Sequence, residues 1–464
     1  MKIYKLIKSG ILPEGSISLN GCKKPVEKIV SEILGYKLLY LDGENKYIRL
    51  STHYQKITDD DLRMLVRELI APADRNGVPT RVIRDAIDIL AETMELQVDL
   101  EALAQNSWHL INLKNGVYDI NSQKLLPHDI NYGFDYCLNF NYITPEKRQL
   151  TTYGYYLNSS VGAENAESIR ILIGYALSSI TDVKKAVIIV GAPHSGKSKI
   201  LDVIERAVGT EYVRTNPFHK IGSEQAVASY LGGARVNLSR DVKIGAIRED
   251  EGFKSVISCE PINGRLLYQN SRTVTPRVRC IAASNSVPRF KNPDDASLDR
   301  LILIKIKGYK GKIDHQLPQQ LYSEVDSICS EAIDTLKGFV QSNYDFMLSE
   351  ESLELLKHEK AKLHTVESFL DENYQKDANG RVSSVVLYEQ YCSWCRQNGF
   401  DPIGKNTFYD TVRNDGSIMY RKVPAGNSYV NGFWGISRKN QDSTAIHDEM
   451  DCTYNCPDNM QEVV

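Results

Sequence analysis

No run of eighteen apolar residues occurs anywhere in the 464-residue chain, and its opening stretch, MKIYKLIKSGILPEG, lacks the uninterrupted apolar core of a signal peptide. Neither a membrane-spanning helix nor an export signal is expected, which predicts a soluble cytoplasmic protein without membrane partners. Cysteine is sparse: nine are scattered without disulfide spacing, which points to a reducing compartment. A strong net charge is missing as well. With 56 Lys and Arg against 59 Asp and Glu, the chain cannot be uniformly basic, although a local basic patch remains open. Its length is enough for about two to four domains.

What is present centres on VIIVGAPHSGKS, residues 187–198. Val187 to Val190 read as a buried strand, Gly191 and Pro193 break the pattern, and an amphipathic helix follows from near Lys197. The run fits the phosphate-binding loop G-x-x-x-x-G-K-[ST] in the strand, loop, helix setting that the motif requires. Gly191, Ala192, Pro193, His194, Ser195 and Gly196 would wrap a β-phosphate with backbone N–H groups, aided by the positive end of the helix. Lys197 would reach the β- and γ-phosphates of ATP, and Ser198 would bind Mg²⁺.

The expected fold class is α/β. Residues 1–107 read as a mixed, mostly helical domain, with a strand before the Asp42-Gly43 turn, a strand after it, and Thr58 capping DDDLRMLVRELI. Residues 108–163 form a β-rich segment turning at Asn115-Gly116. Within it His109, His128 and Asp129 match no metal-ligand spacing, so they read as strand-end and loop polar groups. Residues 164–310 form the loop-bearing core, opened by a helix over 164–180. RVNLSRD, 235–241, is a strand ending in Asp241, placed to hold Mg²⁺, but its neighbour Arg240 stands where a second acid would orient water. Glu249, Asp250 and Glu251 read as a solvated helix start. RCIAAS, 279–284, leads to Asn285, either a γ-phosphate sensor or a turn-forming amide. Arg300 precedes the strand LILIKI and could serve the ATP of a neighbouring subunit.

Between these strands, GRLLYQNSRTVTPRVR (264–279) carries arginines at 265, 272, 277 and 279 and no acid. It reads as a basic hairpin. Arg265, Arg272 and Arg277, with Lys254 before it, would grip a nucleic-acid backbone, and Tyr268 would stack on a base. Residues 311–370 are expected to be a helical lid or linker. Over 371–440 a helix at 382–397, a helix at 405–415 and a hairpin turning at 425–427 suggest a winged helix-turn-helix. Between 403 and 439 there are six Lys or Arg and two Asp, and this local positive charge favours phosphate contact. Asn406, Thr407, Tyr409 and Arg413 fall on the recognition helix, with Arg421 and Lys422 on the hairpin. Cys392, Cys395, Cys452 and Cys456 read as core cysteines and a loose tail rather than a zinc site. Residues 441–464, with six acids and no Lys or Arg, are expected to be disordered.

GAPHSGKS, RVNLSRD, GRLLYQNS, AASNSVP and DRLILIKI occur in the order and approximate spacing found in one family. Over about 164 to 310 the chain resembles superfamily 3 helicases of the phage and plasmid primase type, which include poxvirus D5-like and satellite-phage replication proteins. The resemblance implies a modified AAA+ P-loop ATPase core assembled as a hexameric homo-oligomeric ring on single-stranded DNA. It implies Lys197, Asp241, Asn285 and Arg300 as the catalytic set, with Arg300 a finger into the neighbouring subunit. It also implies a replication initiator of a phage, plasmid or genomic island, acting in the bacterial host cytoplasm. Its winged module would bind double-stranded origin DNA and its ring would unwind it. No polymerase-like primase domain fits the amino-terminal length, so unwinding without primer synthesis is expected. The alternative is a non-enzymatic DNA-binding regulator whose oligomerisation is set by bound ATP.

Overall fold

Pro25 occupies the first turn of helix α1 (Pro25–Tyr36), where its missing N–H costs nothing, and Ile29 and Ile33 face the core. A three-stranded antiparallel sheet follows: β1 (Leu39–Asp42), β2 (Asn45–Arg49) and β3 (Tyr54–Ile57). Helix α2 (Asp59–Leu69) starts in a complete capping box, in which Thr58 Oγ accepts from Asp61 N at 3.1 Å and the Asp61 carboxylate accepts from Thr58 N. Together with α3 (Thr80–Ala91), these elements close a core of their own around Ile33, Leu65, Val66 and Leu90. The computed structural model describes residues 6–43, 45–240, 242, 250–265, 272–288, 295–309, 314–425 and 428–439. Two units divide at Glu359 and Lys360.

The antiparallel strands β4 (Leu110–Leu113), β5 (Gly116–Asp119) and β6 (Lys124–Leu126) turn as the sequence predicts. Their apolar residues join one hydrophobic cluster with the central sheet. A half-buried polar knot ties them down: the Tyr118 and Tyr142 hydroxyls donate to Asp334 Oδ1 at 2.6 and 3.2 Å, and Arg148 pairs with Asp334 Oδ2. Short helix α4 (Thr151–Tyr156) is capped across space, since the Glu324 carboxylate accepts from the N–H groups of Thr152 and Tyr153 at 2.9 Å each. A π-helical turn, 157–161, leads on to α5 (Ala166–Leu177).

The central sheet is five-stranded and wholly parallel. Its strands are β7 (Ala186–Val190), β8 (Val213–Arg214), β9 (Val236–Ser239), β12 (Arg279–Ser284) and β13 (Leu301–Lys305), in the order β13-β7-β12-β9-β8. All five residues of β7 are buried, as expected for a strand covered on both faces. Each Val or Ile so buried contributes about 1.5 to 3 kcal/mol. Helix α6 (Lys197–Val208) follows β7, and α7 (Glu224–Tyr230) precedes β9. After α8 (Asp250–Ile257), β10 (Ile262–Gly264) pairs antiparallel with β11 (Arg272–Val274), so the first strand of the expected hairpin lies at 262–264, and its expected turn at 269–271 lies outside the described residues. Then come α9 (Asp295–Asp299) before β13, and α10 (Leu317–Ser323) and α11 (Val325–Asp334) after it.

The second unit contains α12 (Thr365–Asn373), β14 (Tyr374–Ser383), α13 (Ser384–Gln397), α14 (Lys405–Asn414), β15 (Met419–Ala425) and β16 (Ser428–Arg438). Its sheet runs β14-β16-β15, all antiparallel, over a core of Phe369, Tyr391, Phe408 and Phe433. Strand β14 is a correction to the sequence reading, which has no strand before the 382–397 helix. YQKDANGRVS has weak alternation, and its strand form is set by pairing with β16 from Tyr374↔Arg438 to Ser383↔Gly432, around an irregularity between Asp377 and Arg381. Among the described residues no helix is long and apolar enough to cross a membrane.

Candidate functional site

Because the central sheet is parallel, the chain leaves β7, β9 and β12 at one edge, where a doubly covered sheet collects ligands. β7 lies between β12 and β13, which the chain reaches only after building the rest of the sheet. Gly191–Gly196 therefore emerges where the connections diverge to opposite sides. Two loop glycines are required by geometry. Gly196 has φ +93°, and a Cβ there would stand 3.0 Å from the Tyr156 ring; a Cβ on Gly191 would meet Ile306 Cγ1 at 2.8 Å.

Lys197 is 8% exposed, and its Nζ donates to Gly191 O and Ala192 O at 2.7 Å. It also reaches Ser195 Oγ and Asn285 Oδ1 at 3.1 Å each. These four described partners are neutral oxygens, which a phosphate could replace. The first turn of α6 has no acidic residue and its N-cap makes no side-chain hydrogen bond, so its amides suit an anion. His194, with φ +61°, bends the loop just before Ser195. Pro193 and Ser198 lie in the same segment, Ser198 at the second position of α6. The Tyr156 hydroxyl, which the sequence reading missed, donates to Gly196 O at 3.1 Å. The aromatic run TTYGYY before the π-helical turn is the signal that could have marked it.

Asp241 lies outside the described residues, as does Tyr268. Arg240 is described. Both arms of its guanidinium reach α6, Nη1 to Asp202 and Nη2 to Glu205. Burial opposes its charge, but the hydrogen bond and negative charge of Asp202, and then Glu205, hold its pKa above the ordinary arginine value. Arg300 sits at the opposite edge of the sheet, where its carbonyl accepts from Ala186 N at the start of β7. Its side chain donates to Ser258 Oγ at 3.1 Å and Ala296 O at 2.8 Å. Within one chain, then, Arg300 is not brought to Lys197.

The hairpin rises beside α7, where a Cβ on Gly264 would be 2.9 Å from Val227 Cγ1. Arg265 and Arg277 are exposed, Lys254 is half-buried on α8, and Arg272 stands at the start of β11. Arg279 is corrected out of this basic group: it is 4% exposed in β12 and donates to Arg277 O. Burial, and then the neighbouring Arg235 charge, lower its pKa to about 10. In the second unit Asn406, Thr407, Arg413, Arg421 and Lys422 are exposed. Tyr409 is corrected out of the DNA-facing set. It is 9% exposed, and its ring packs against Phe433 and Tyr420 at 5.7 and 6.1 Å.

His128 Nδ1 hydrogen-bonds Asn112 Oδ1 at 3.1 Å, and His109 Nε2 lies 3.9 Å from Asp119. Asp129 caps the short turn that follows it. Cys395 is buried in the second unit's core, whereas Cys452 and Cys456 lie outside the described residues.

Residues 27–170 match the family described as D5 N terminal like, 365–422 the family described as Poxvirus D5 protein-like, and 189–300 a family of unknown function. None of the curated proteins matches the sequence. The apo structure of the NrS-1 C-terminal region is similar at a TM-score of 0.52 and 12% identity, over 89% of this chain and 99% of that one. An A-form apo structure of the same region gives 0.49 at 12% identity, over 89% of this chain and 100% of that one. At such identity the first of these is a likeness of fold, a mixed α/β architecture. D5-type family models thus match both an amino-terminal and a carboxy-terminal part of the chain, and the chain is similar to D5-like proteins in both.

Proposed function

We propose that this protein is an ATP-dependent DNA helicase and replication initiator, with a superfamily 3 AAA+ core working as a homo-oligomeric, hexameric ring. The observation that carries this reading is the convergence of Lys197, Asn285 and an uncapped helix start at the carboxyl edge of a parallel sheet. Lys197 exchanges its neutral oxygens for the β- and γ-phosphate oxygens of ATP, while the loop amides hold the β-phosphate. Asn285, released from Lys197, is free to orient the γ-phosphate or the attacking water. Mg²⁺, held by Ser198 and Asp241, would neutralise charge developing between the β- and γ-phosphates. Arg300, on the far edge, suits a neighbour's nucleotide rather than its own.

DNA engagement is assigned to two basic surfaces. The hairpin, with Arg265 and Arg277 exposed, serves the single strand. The second unit, with its helix, strand, two helices and antiparallel pair, has the order of a winged helix and supports origin binding by α14 and the β15–β16 hairpin. The matches to D5-type families support a role in DNA replication. A non-enzymatic, nucleotide-gated DNA-binding regulator is the second reading, favoured by Arg240, whose side chain is committed to α6 in place of a second acid. Strand displacement on a forked duplex with ATP and Mg²⁺ separates the two. The helicase separates the strands, whereas the regulator binds DNA without separating them or consuming ATP.

A further inference from the structure

The outer face of α6 is tied on two sides. Asp202 accepts from Arg240 at the carboxyl end of β9 and from the Tyr322 hydroxyl of α10 at 2.8 Å, and Lys199 stands 3.6 Å away. Glu205, one turn further along α6, takes the other arm of Arg240, and Arg206 lies over the Tyr322 ring at 3.7 Å. A lone exposed ion pair contributes little, but a guanidinium shared by two carboxylates within a network fixes a geometry. Arg240 immediately follows β9, and α6 begins at Lys197, so the pair links the helix that receives phosphate to the strand end next in sequence to Asp241.

We propose that Arg240 is a positioning residue for nucleotide hydrolysis, bracing the carboxyl end of β9 against α6. It acts through the position of the strand end and does not itself orient water. Its effect falls on turnover rather than on nucleotide affinity, because the phosphate-holding groups all lie on the loop and the first turn of α6. This inference rests on the nucleotide-hydrolysis reading above.

The test uses the full chain with Arg240→Met, Arg240→Lys, Arg240→Glu and the exchange pair Arg240→Glu/Glu205→Arg. Steady-state ATP hydrolysis, affinity for a fluorescent ADP analogue and amide hydrogen exchange over 236–242 are measured on each. Arg240→Met is expected to lower kcat about tenfold with KM and ADP affinity within about twofold, and to speed exchange at the β9 end. Arg240→Lys keeps most of the activity, and the exchange pair recovers part of what Arg240→Glu loses. If Arg240→Met does not fold, Arg240→Lys and the exchange pair carry the comparison. Higher turnover in Arg240→Glu would overturn the proposal, because position 240 would then be an acid's seat. So would a lower kcat in Arg240→Met with unchanged exchange. If the wild-type chain hydrolyses nothing, the nucleotide reading fails, while the exchange data still decide whether the brace exists.

Discussion

Lys197 Nζ donates to Asn285 Oδ1 at 3.1 Å across 88 residues of sequence. The contact ties the Lys197 amine, proposed above to bind phosphate, to the residue that follows β12. Replacing Asn285 by Ala should leave ADP-analogue affinity within about threefold and lower kcat by about 10- to 100-fold, as for a group acting in the transition state. Asn285→Asp should instead weaken nucleotide binding, since a carboxylate beside Lys197 competes with phosphate. Fluorescence titration and steady-state hydrolysis on both variants check this, and equal loss of binding in the two would contradict it.

Arg300 should act between subunits. Its guanidinium is held by Ser258 and Ala296 at the sheet edge away from the loop. Mixing Arg300→Ala chains with wild type should depress hydrolysis below the level expected from simple dilution. Activity that falls only in proportion to the wild-type fraction would show that each site works alone.

In the second unit, Tyr409 and its exposed neighbours should behave differently. Among the described residues the buried Tyr409 hydroxyl has no hydrogen-bond partner, so Tyr409→Phe should leave stability unchanged or raise it by about 0 to 1 kcal/mol, with DNA affinity intact. Arg421→Ala and Lys422→Ala together should weaken DNA binding and flatten its salt dependence by about two phosphate contacts. Thermal unfolding and salt-dependent DNA titration report the two effects separately.

The two buried residues show where the sequence misleads. Arg279 continues a run of arginines and Tyr409 lies on an exposed-looking helix, and one-dimensional charge or pattern carries no signal that either side chain turns inward. The loop, by contrast, was legible because its glycines, lysine and flanking strand are local. So was the capping box at Thr58. The Arg240 brace was not, because Asp202 and Glu205 read as the solvated face of α6 and only tertiary packing brings β9 to them. β14 was missed for a similar reason: its partners are distant in sequence, as in Tyr374↔Arg438, and its own pattern is polar.

Asp415 ties the end of α14 to β15. Its carboxylate accepts from the Ser417 hydroxyl at 2.6 Å and from Ser417 N at 3.0 Å, with Lys376 at 3.5 Å. Chiefly the Ser417 bonds, side chain first and then backbone, hold its pKa below the ordinary aspartate value. A depressed carboxylate stabilises the fold above its unfolded pKa, and that stability is lost as pH falls through the folded value. Asp415→Asn should therefore be less stable than wild type at pH 7, and the gap should close below about pH 4. Denaturant unfolding of the full chain across that range, followed by a probe in the second unit, measures it.

ATP hydrolysis by the full chain with and without single-stranded DNA, beside Lys197→Ala, decides whether nucleotide turnover at this loop is coupled to DNA. Mg²⁺-dependent hydrolysis is expected, stimulated by DNA and abolished by Lys197→Ala while double-stranded DNA binding persists. Hydrolysis indifferent to DNA, or a Lys197→Ala chain that still turns over ATP, would contradict that coupling.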